Sequence, residues 1–410
     1  MSNELYTLTA VTDRLGAHAY EQFLESQPAG DFLQTLAWGR VKSLTGWQSE
    51  PLVLQDRDGR IVLSALLLSR RLPGLPLRLF YAPRGPVLDW DQAPEQLEAI
   101  LRAFAAETRR LGRHHRSILV KCDPALPIGN DHARQALAAA GFRSAGAGLS
   151  FEGVQPRFVY EIDIGRDSGE LLAAFGSKHR YNIRLAGRRG VTVRPAAGEH
   201  DMAAFYRLLE VTAERDGFGI RTYEYYEAIW REVVTTGGAQ LFLAEHDGKL
   251  LSGALVFLLG RRGWYVYGAS SNEGRNLMPN YALHWEIMLW LKERDFAIYD
   301  MRGISGDLTP GSRLYGLYRF KKGFSGRVVE YAGEYDLPLF APLYWAARAG
   351  VPAFRWLMKT IQFSRRRARG RSGAVASADD DAGPPETDDP AQPPKPAPPS
   401  QSQPPSGVTT

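Results

Sequence analysis

VLQDRDGRIVLSALLLSRR (Val53–Arg71) and LAEHDGKLLSGALVFLLGRR (Leu243–Arg262) are two versions of one pattern. Asp58-Gly59-Arg60 matches Asp247-Gly248-Lys249, and each is followed by an apolar run with a small-residue pair, Ser64-Ala65 or Gly253-Ala254. An Asp-Gly pair between apolar runs is a strong hairpin signal. Each hairpin leads into an aromatic strand, LFYAPRG (Leu79–Gly85) or GWYVYGASS (Gly263–Ser271). A helix follows in both copies, APEQLEAILRAFAAETRRLG or NYALHWEIMLWLKERD, with Leu97, Leu101, Phe104 and Leu283, Ile287, Leu291 at helical spacing. Each helix feeds a short strand, SILVKCD or AIYDMRG. Hairpin, strand, helix, strand, given twice, predicts two similar α+β domains.

Helical segments precede the second hairpin. Asp167 with Glu170 reads as a capping box, and the helix or helix pair it starts runs to Gly190. Met202, Phe205, Leu208 and Leu209 mark a further helix, and Tyr226, Ile229, Trp230 and Val233 another. Helices ahead of such a unit describe an acyltransferase-like fold of the GNAT kind. The expected division is 1–155 plus about 325–345 for the first GNAT-like subdomain and 156–324 for the second, both mixed sheets flanked by helices. A basic amphipathic helical segment over 340–371 and a disordered Pro/Ser/Asp-rich tail over 372–410 complete the chain.

At 410 residues there is room for two or three domains and a sizeable core. MSNELYTLTAVTDR has neither a basic n-region nor an apolar run, so no signal peptide is read there. No window approaches the roughly 20 apolar residues of a spanning helix. Cys122 is the single cysteine and lies on the apolar run ILVKCD, which favours a structural role and a cytoplasmic setting. The formal charge is +5, and the acidic tail masks a more basic body. SRRRARGR places Arg365, Arg366, Arg367, Arg369 and Arg371 just before that tail.

Several stretches carry candidate chemistry. LYGLYRFKKGFSGRVVEYAGEYDLPL (Leu314–Leu339) sets Lys321 and Lys322 after packed aromatics, a local positive site for a phosphate or for developing negative charge, or else a solvated step. In SKHRYNIRLAGRRG, Arg180, Arg184 and Arg188 fall at i, i+4, i+8 beside Lys178, giving one basic stripe that faces either a polyanion or solvent. Arg221 and Tyr225 lie four apart near a helix start, suited to clamping a diphosphate or simply to packing. Alternation puts Tyr265 and Tyr267 on one strand face, opposite Trp264 and Val266. In FLQTLAWGRVK, Phe32, Leu36, Trp38 and Val41 read as core, with Lys42 projecting near the helix end.

There is no Walker loop, GxSxG, HExxH or CxxC pair, and His114, His115 and His179 have no metal-ligand partners in the sequence. An acetyl-CoA enzyme of this fold opens its helix with an R/Q-x-x-G-x-G/A loop. RNLMPNYAL (Arg275–Leu283) stands in that place without the glycines, which argues for a different acyl donor.

FLQTLAWGRVK, YAPRGPV, KHRYNIRLAGRRGV, ERDGFGIR, the NYALHWE helix and GLYRFKKGF…EYAGEYDLPL, in that order, resemble the FemABX family. These are aminoacyl-tRNA-dependent peptidyltransferases that build peptidoglycan interpeptide bridges, and the resemblance extends to about Phe363. It implies two GNAT-like subdomains, as the repeat does on its own. It also implies that Lys42 and Arg221 bind the diphosphate of a muropeptide precursor, with Tyr225 beside them. The family's aromatic-strand tyrosine falls on Tyr267 or Tyr265, its ester-handling lysine on Lys321 or Lys322, and an acid near the first terminal strand on Asp123. Lys178, Arg180, Arg184 and Arg188 would attract tRNA phosphate. The long coiled-coil arm of several members has no counterpart here.

The implied reaction transfers an amino acid from aminoacyl-tRNA to the stem-peptide amine of lipid II or of a UDP-linked precursor. It needs no metal and no cofactor beyond aminoacyl-tRNA as co-substrate. The implied location is cytoplasmic, peripheral to the inner face of the membrane if Leu343, Trp345, Phe354, Trp356, Leu357 and Phe363 lie in the interface. Alternatively that segment packs on the first domain. Two other readings are a GNAT-fold acyltransferase with a polysaccharide or protein acceptor, and a non-catalytic nucleic-acid or membrane-surface binder.

Overall fold

A computed structural model describes residues 5–72, 74–146, 153–312 and 314–349. In the first half, β1 (Thr7–Ala10), α1 (Arg14–Ser26) and α2 (Leu36–Ser43) precede the hairpin of β2 (Gln48–Gln55) and β3 (Ile61–Arg71). Then come β4 (Arg78–Ala82), α3 (Pro94–His115), β5 (Ser117–Cys122), α4 (Asp131–Ala139) and β6 (Arg143–Ser144). The second half runs β7 (Phe158–Asp163), α5 (Ser168–Ala174), α6 (Ser177–Arg188), β8 (Thr192–Pro195), α7 (Glu199–Asp216) and α8 (Tyr223–Ile229). The repeat follows as β9 (Ala239–His246), β10 (Lys249–Leu259), β11 (Arg262–Ser270), α9 (Pro279–Lys292) and β12 (Ile298–Gly303). Last are α10 (Tyr315–Lys322), β13 (Arg327–Glu330), β14 (Tyr335–Pro338) and α11 (Ala341–Ala349).

Both hairpins form at the Asp-Gly turns. Asp247 and Gly248 both have positive φ, 49° and 73°, the pair of values a two-residue hairpin turn demands. In each copy the aromatic strand runs parallel to the strand after the helix, β4 with β5 and β11 with β12, because a parallel pair needs a crossover of helix length. The sheet orders correspond position by position: β1-β2-β3-β4-β5-β14-β6 in one and β8-β9-β10-β11-β12-β7-β13 in the other. The fold is two tandem GNAT-like units. The C-terminal return is divided between them, since β13 pairs with β7 of the second sheet and only β14 joins β5 and β6 of the first. The segments expected to form the rest of the basic helix and the tail lie outside the described residues.

Each sheet has its own core, with α3 and α4 on the first and α5, α6 and α9 on the second. The units meet across a third core built from α1, α2, β2 and β3 on one side and α7, α8 and β9–β11 on the other. Its centre is aromatic: the Phe32 ring lies 4.4 Å from Phe257 and 5.4 Å from Trp264, and Trp38 lies 5.7 Å from Phe257. Packing of this density holds side chains on either side of the seam in fixed relation.

Candidate active site

Helix α2 brings Lys42 to the seam. Thr35 caps it by accepting the Trp38 N–H at 3.2 Å, and the i, i+4 spacing lays Lys42 on Trp38. Lys42 is only 5% exposed, and its ammonium lies 5.3 Å from the Trp38 ring centroid. The expected projecting cation is thus a stem buried on an aromatic face, because α2 packs against α8 of the other unit.

Arg221 stands just before α8, its guanidinium 5.4 Å from the ring of Tyr225, and its carbonyl accepts the Tyr206 hydroxyl at 3.2 Å. Tyr225 and Tyr226 are buried in the seam core, and the Tyr226 ring sits 5.3 Å from Tyr267. Burial, and Tyr267 beside it, push the Tyr226 phenol well above its ordinary range, while Arg221 pulls the other way. The structure therefore collects Lys42 from one unit with Tyr225, Tyr267 and the half-buried Arg221 from the other.

Tyr265 and Tyr267 do not share a face. Tyr267 pairs with Leu255 and Tyr265 with Val256, so Val266 is an extra residue in the ladder. This bulge turns Tyr267 into the seam core with Trp264 and Val266 and leaves Tyr265 in the core of the second unit. There Tyr265 packs on His284 with ring centroids 4.8 Å apart. Its hydroxyl crosses Gly268, where a Cβ would come within 1.6 Å of that oxygen.

Helix α10 separates the two lysines. Lys321 is buried and donates to the carbonyls of Met301 at 2.7 Å and Gly303 at 2.8 Å, at the end of β12. Strands β11 and β12 pair only over Arg262–Trp264 and Ile298–Asp300, so these carbonyls lie where the strands have parted. Lys322 is exposed, its ammonium 5.7 Å from the Tyr318 ring. Beside Lys321, the buried His284 shares a hydrogen between Nδ1 and the Tyr299 hydroxyl at 2.8 Å. Burial, then Lys321 and His179, hold the His284 imidazole down at about 3, so it is neutral at physiological pH.

Asp123, just past β5, accepts from the Tyr81 hydroxyl at 2.9 Å and the Arg84 backbone N–H at 2.7 Å. Burial raises its carboxyl to about 7 against the opposing pull of Arg84, which places it in the range of a base working near neutrality. Tyr81 belongs to the seam core with Trp38 and Val41, so Asp123 borders the wall that carries Lys42. Buried Arg84 lies 4.5 Å from the Tyr331 ring. The sequence reading missed Tyr81, Arg84, His284 and Tyr299, although YAPRGPV and NYALHWE contain three of them.

The basic stripe of α6 is narrower than its spacing predicts. Lys178, Arg184 and Arg188 are exposed, with Arg188 6.0 Å from the Tyr181 ring. Arg180 instead folds back onto the carbonyls of Ala173 and Phe175 and ties α6 to α5. The break between these helices left free carbonyls, which a guanidinium at the next turn satisfies. Among the described residues no group of three or more His, Cys, Asp or Glu side chains is placed to hold a metal ion.

Residues 15–248 and 234–350 match the family model of FemAB. The chain belongs to the FemAB family. It is 30% identical over 420 residues to the lipid II:glycine glycyltransferase of Staphylococcus aureus (strain MRSA252), covering 85% of this chain and 97% of that one. The crystal structure of FemX superposes with a TM-score of 0.76 at 28% identity, covering 83% of this chain and 99% of that one. A Bacteroides thetaiotaomicron protein with a TM-score of 0.51 at 12% identity shares the fold alone. The FemAB match spans both GNAT-like units and the seam between them, so it includes every residue placed above.

Proposed function

We propose that this FemAB-family chain is an aminoacyltransferase that moves an amino acid from aminoacyl-tRNA onto the stem-peptide amine of a peptidoglycan precursor. The observation that carries the reading is the seam, where cations from both units, Lys42 and Arg221, are held on aromatic rings beside Tyr225 and Tyr267. Two fixed positive charges suit a diphosphate-linked acceptor. Similarity to a lipid II:glycine glycyltransferase over most of the chain supports lipid II as that acceptor, and a lipid carrier calls for peripheral contact with the membrane. Among the described residues no helix is long and apolar enough to cross one.

The start of α9 supports a donor other than acetyl-CoA. Pro279 occupies its first turn after Met278 at φ 60°, so one N–H that would face a pyrophosphate is missing and no glycines let a phosphate approach. The amine attacks the ester carbonyl, forming the C–N bond and a tetrahedral oxyanion. The C–O bond then breaks, and the 3′-hydroxyl of the tRNA leaves with a proton. Lys321 and a tyrosine of β11 would stabilise the oxyanion, and Asp123 would take the proton from the attacking amine. Much of the acceleration is positional, since two large substrates must meet at about 3–3.5 Å. The exposed cations of α6 supply a salt-sensitive attraction for tRNA.

The test incubates purified protein with lipid II and a pool of radiolabelled aminoacyl-tRNAs and follows label into the lipid fraction. Transfer abolished by RNase, and reduced by Arg221→Ala at limiting lipid II, is expected. Absence of transfer to lipid II and to the nucleotide-linked precursor, with charged tRNA intact, overturns the reading in favour of another acceptor on the same fold.

A further inference from the structure

Strand β12 carries one residue too many where it leaves its neighbours. Against β7, Asp300 lies opposite Glu161 and Gly303 opposite Val159, so three steps on β12 meet two on β7. Pairing with β11 ends at the same place, at Trp264 and Asp300. A bulge bends its strand and sharpens the local twist, which opens the gap that Lys321 enters. Within the bulge Arg302 has φ 62°, a conformation that costs an arginine free energy and a glycine almost none. A guanidinium thus stands on a backbone suited to glycine, which points to a task for the side chain.

Arg302 joins the two faces of the second sheet. Its backbone N–H donates to Asp300 Oδ1 at 2.6 Å and so closes the bulge. The side chain, 2% exposed, runs to the seam, where the guanidinium lies 5.5 Å from the Phe32 ring and Nη2 donates to Gln155 Oε1 at 2.8 Å. Gln155 belongs to the segment joining the two units. Beside it the Val154 N–H donates to Glu334, which also accepts the Lys121 ammonium of β5 at 2.7 Å. On the other face, α10 packs on the core of the second unit through Phe320 and Phe324 and brings Lys321 to the carbonyls on either side of Arg302. The bulge therefore lies between a lysine held by its carbonyls and an arginine tied to the first unit. The first unit repeats the device. Arg84 has φ 56°, its N–H donates to Asp123 at 2.7 Å, and its Nη2 donates to the Pro156 carbonyl at 2.5 Å, one residue from Gln155.

We propose that Arg302 is a positioning residue for Lys321. By anchoring the β12 bulge to Gln155, it fixes the two carbonyls that hold the ammonium, and with them the place where the oxyanion forms. It acts through the backbone and not on the substrate. Through Phe32 and the joining segment, the first unit sets the position of a lysine on the far face of the second sheet. The inference deepens the proposed function and rests on the role given there to Lys321.

Two variants of the full-length protein test it. Arg302→Gly accepts the positive φ and removes only the guanidinium, while Gln155→Met removes the acceptor and keeps the length of the side chain. The first readout needs no substrate: trace acetic anhydride acylates Lys321 and Lys322 in the folded protein, and fragment-ion mass spectrometry gives their ratio. Both variants should raise acylation of Lys321 relative to exposed Lys322 by about fivefold or more, well below the melting temperature of each. The second readout is transfer. In Arg302→Gly, kcat should fall about tenfold or more while KM for lipid II and for charged tRNA is unchanged. In a Lys321→Met background the same substitution should lower kcat no further. An unchanged acylation ratio in either variant overturns the proposal. So does an undiminished, additive loss of kcat in the Lys321→Met background, which would mark Arg302 as merely structural. If the wild type transfers nothing, the proposed function fails, and the acylation ratio still decides whether Arg302 positions Lys321.

Discussion

The Lys321 ammonium lies 2.7 Å from the carbonyl oxygen of Met301, at the end of β12 where the sheet has opened. The adjacent Lys322 points to solvent from the same helix. Lys321→Ala removes two charge-assisted hydrogen bonds and strands two buried carbonyls, at a cost of about 3 kcal/mol. Lys322→Ala should stay within about 0.5 kcal/mol of the parent. Urea unfolding of the two variants distinguishes them. Equal stability would mean that the Lys321 contacts contribute nothing.

Asp123 makes stability depend on pH. Its carboxyl rises on folding from 3.8 to about 7, so the folded state binds a proton that the unfolded state has released. This contribution is fully present below the unfolded value and is lost as pH rises toward the folded one. Asp123→Asn keeps an acceptor for the Arg84 N–H but cannot ionise, and should flatten the decline between about pH 4 and 7. Denaturation midpoints across that range measure it. A slope unchanged from the wild type would assign the decline to other groups.

The proposed function assigns Lys42 and Arg221, from opposite sides of the seam, to one diphosphate. Each alanine substitution should raise KM for the precursor by about 10-fold or more while leaving the charged tRNA requirement unchanged. Lys42→Met is the sharper variant, because it retains packing on Trp38 and removes only the charge. Recovery of wild-type KM in Lys42→Met would assign Lys42 to packing.

Within α6 the arginines should differ. Arg184→Ala and Arg188→Ala are expected to weaken tRNA binding and to lower the salt slope by about one each. Arg180→Ala should leave the slope unchanged and instead lower the melting temperature, since its guanidinium holds the turn between α5 and α6. Filter binding over a salt series together with thermal melts checks both parts.

The two-unit architecture was legible because its signals are local. Asp58-Gly59 and Asp247-Gly248 specify turns, and the helices after β4 and β11 declare their buried faces by spacing. The bulge at Val266 was not legible: every residue of WYVYG is apolar or aromatic, so alternation gives no cue to a shifted register. The choice between Lys321 and Lys322 depends on where the β12 carbonyls fall, eighteen and twenty residues away in sequence. Arg180 was misread because helical periodicity ignores the neighbouring turn, whose open carbonyls outcompete solvent for its guanidinium. Lys42 was assigned to a helix end correctly, but its burial comes from α8 of the other unit, which no local pattern contains.

Strand β14 lies between β5 and β6, and among the described residues β6 pairs with β14 alone. On the ribosome the first unit is complete to β6 long before Tyr335–Pro338 has been made. Until then β5 presents an open edge, and the two-residue β6 ribbon has nothing to pair with. Vectorial synthesis therefore cannot finish the N-terminal unit first. It matures together with the C-terminal unit, when β14 closes the open edge of its sheet.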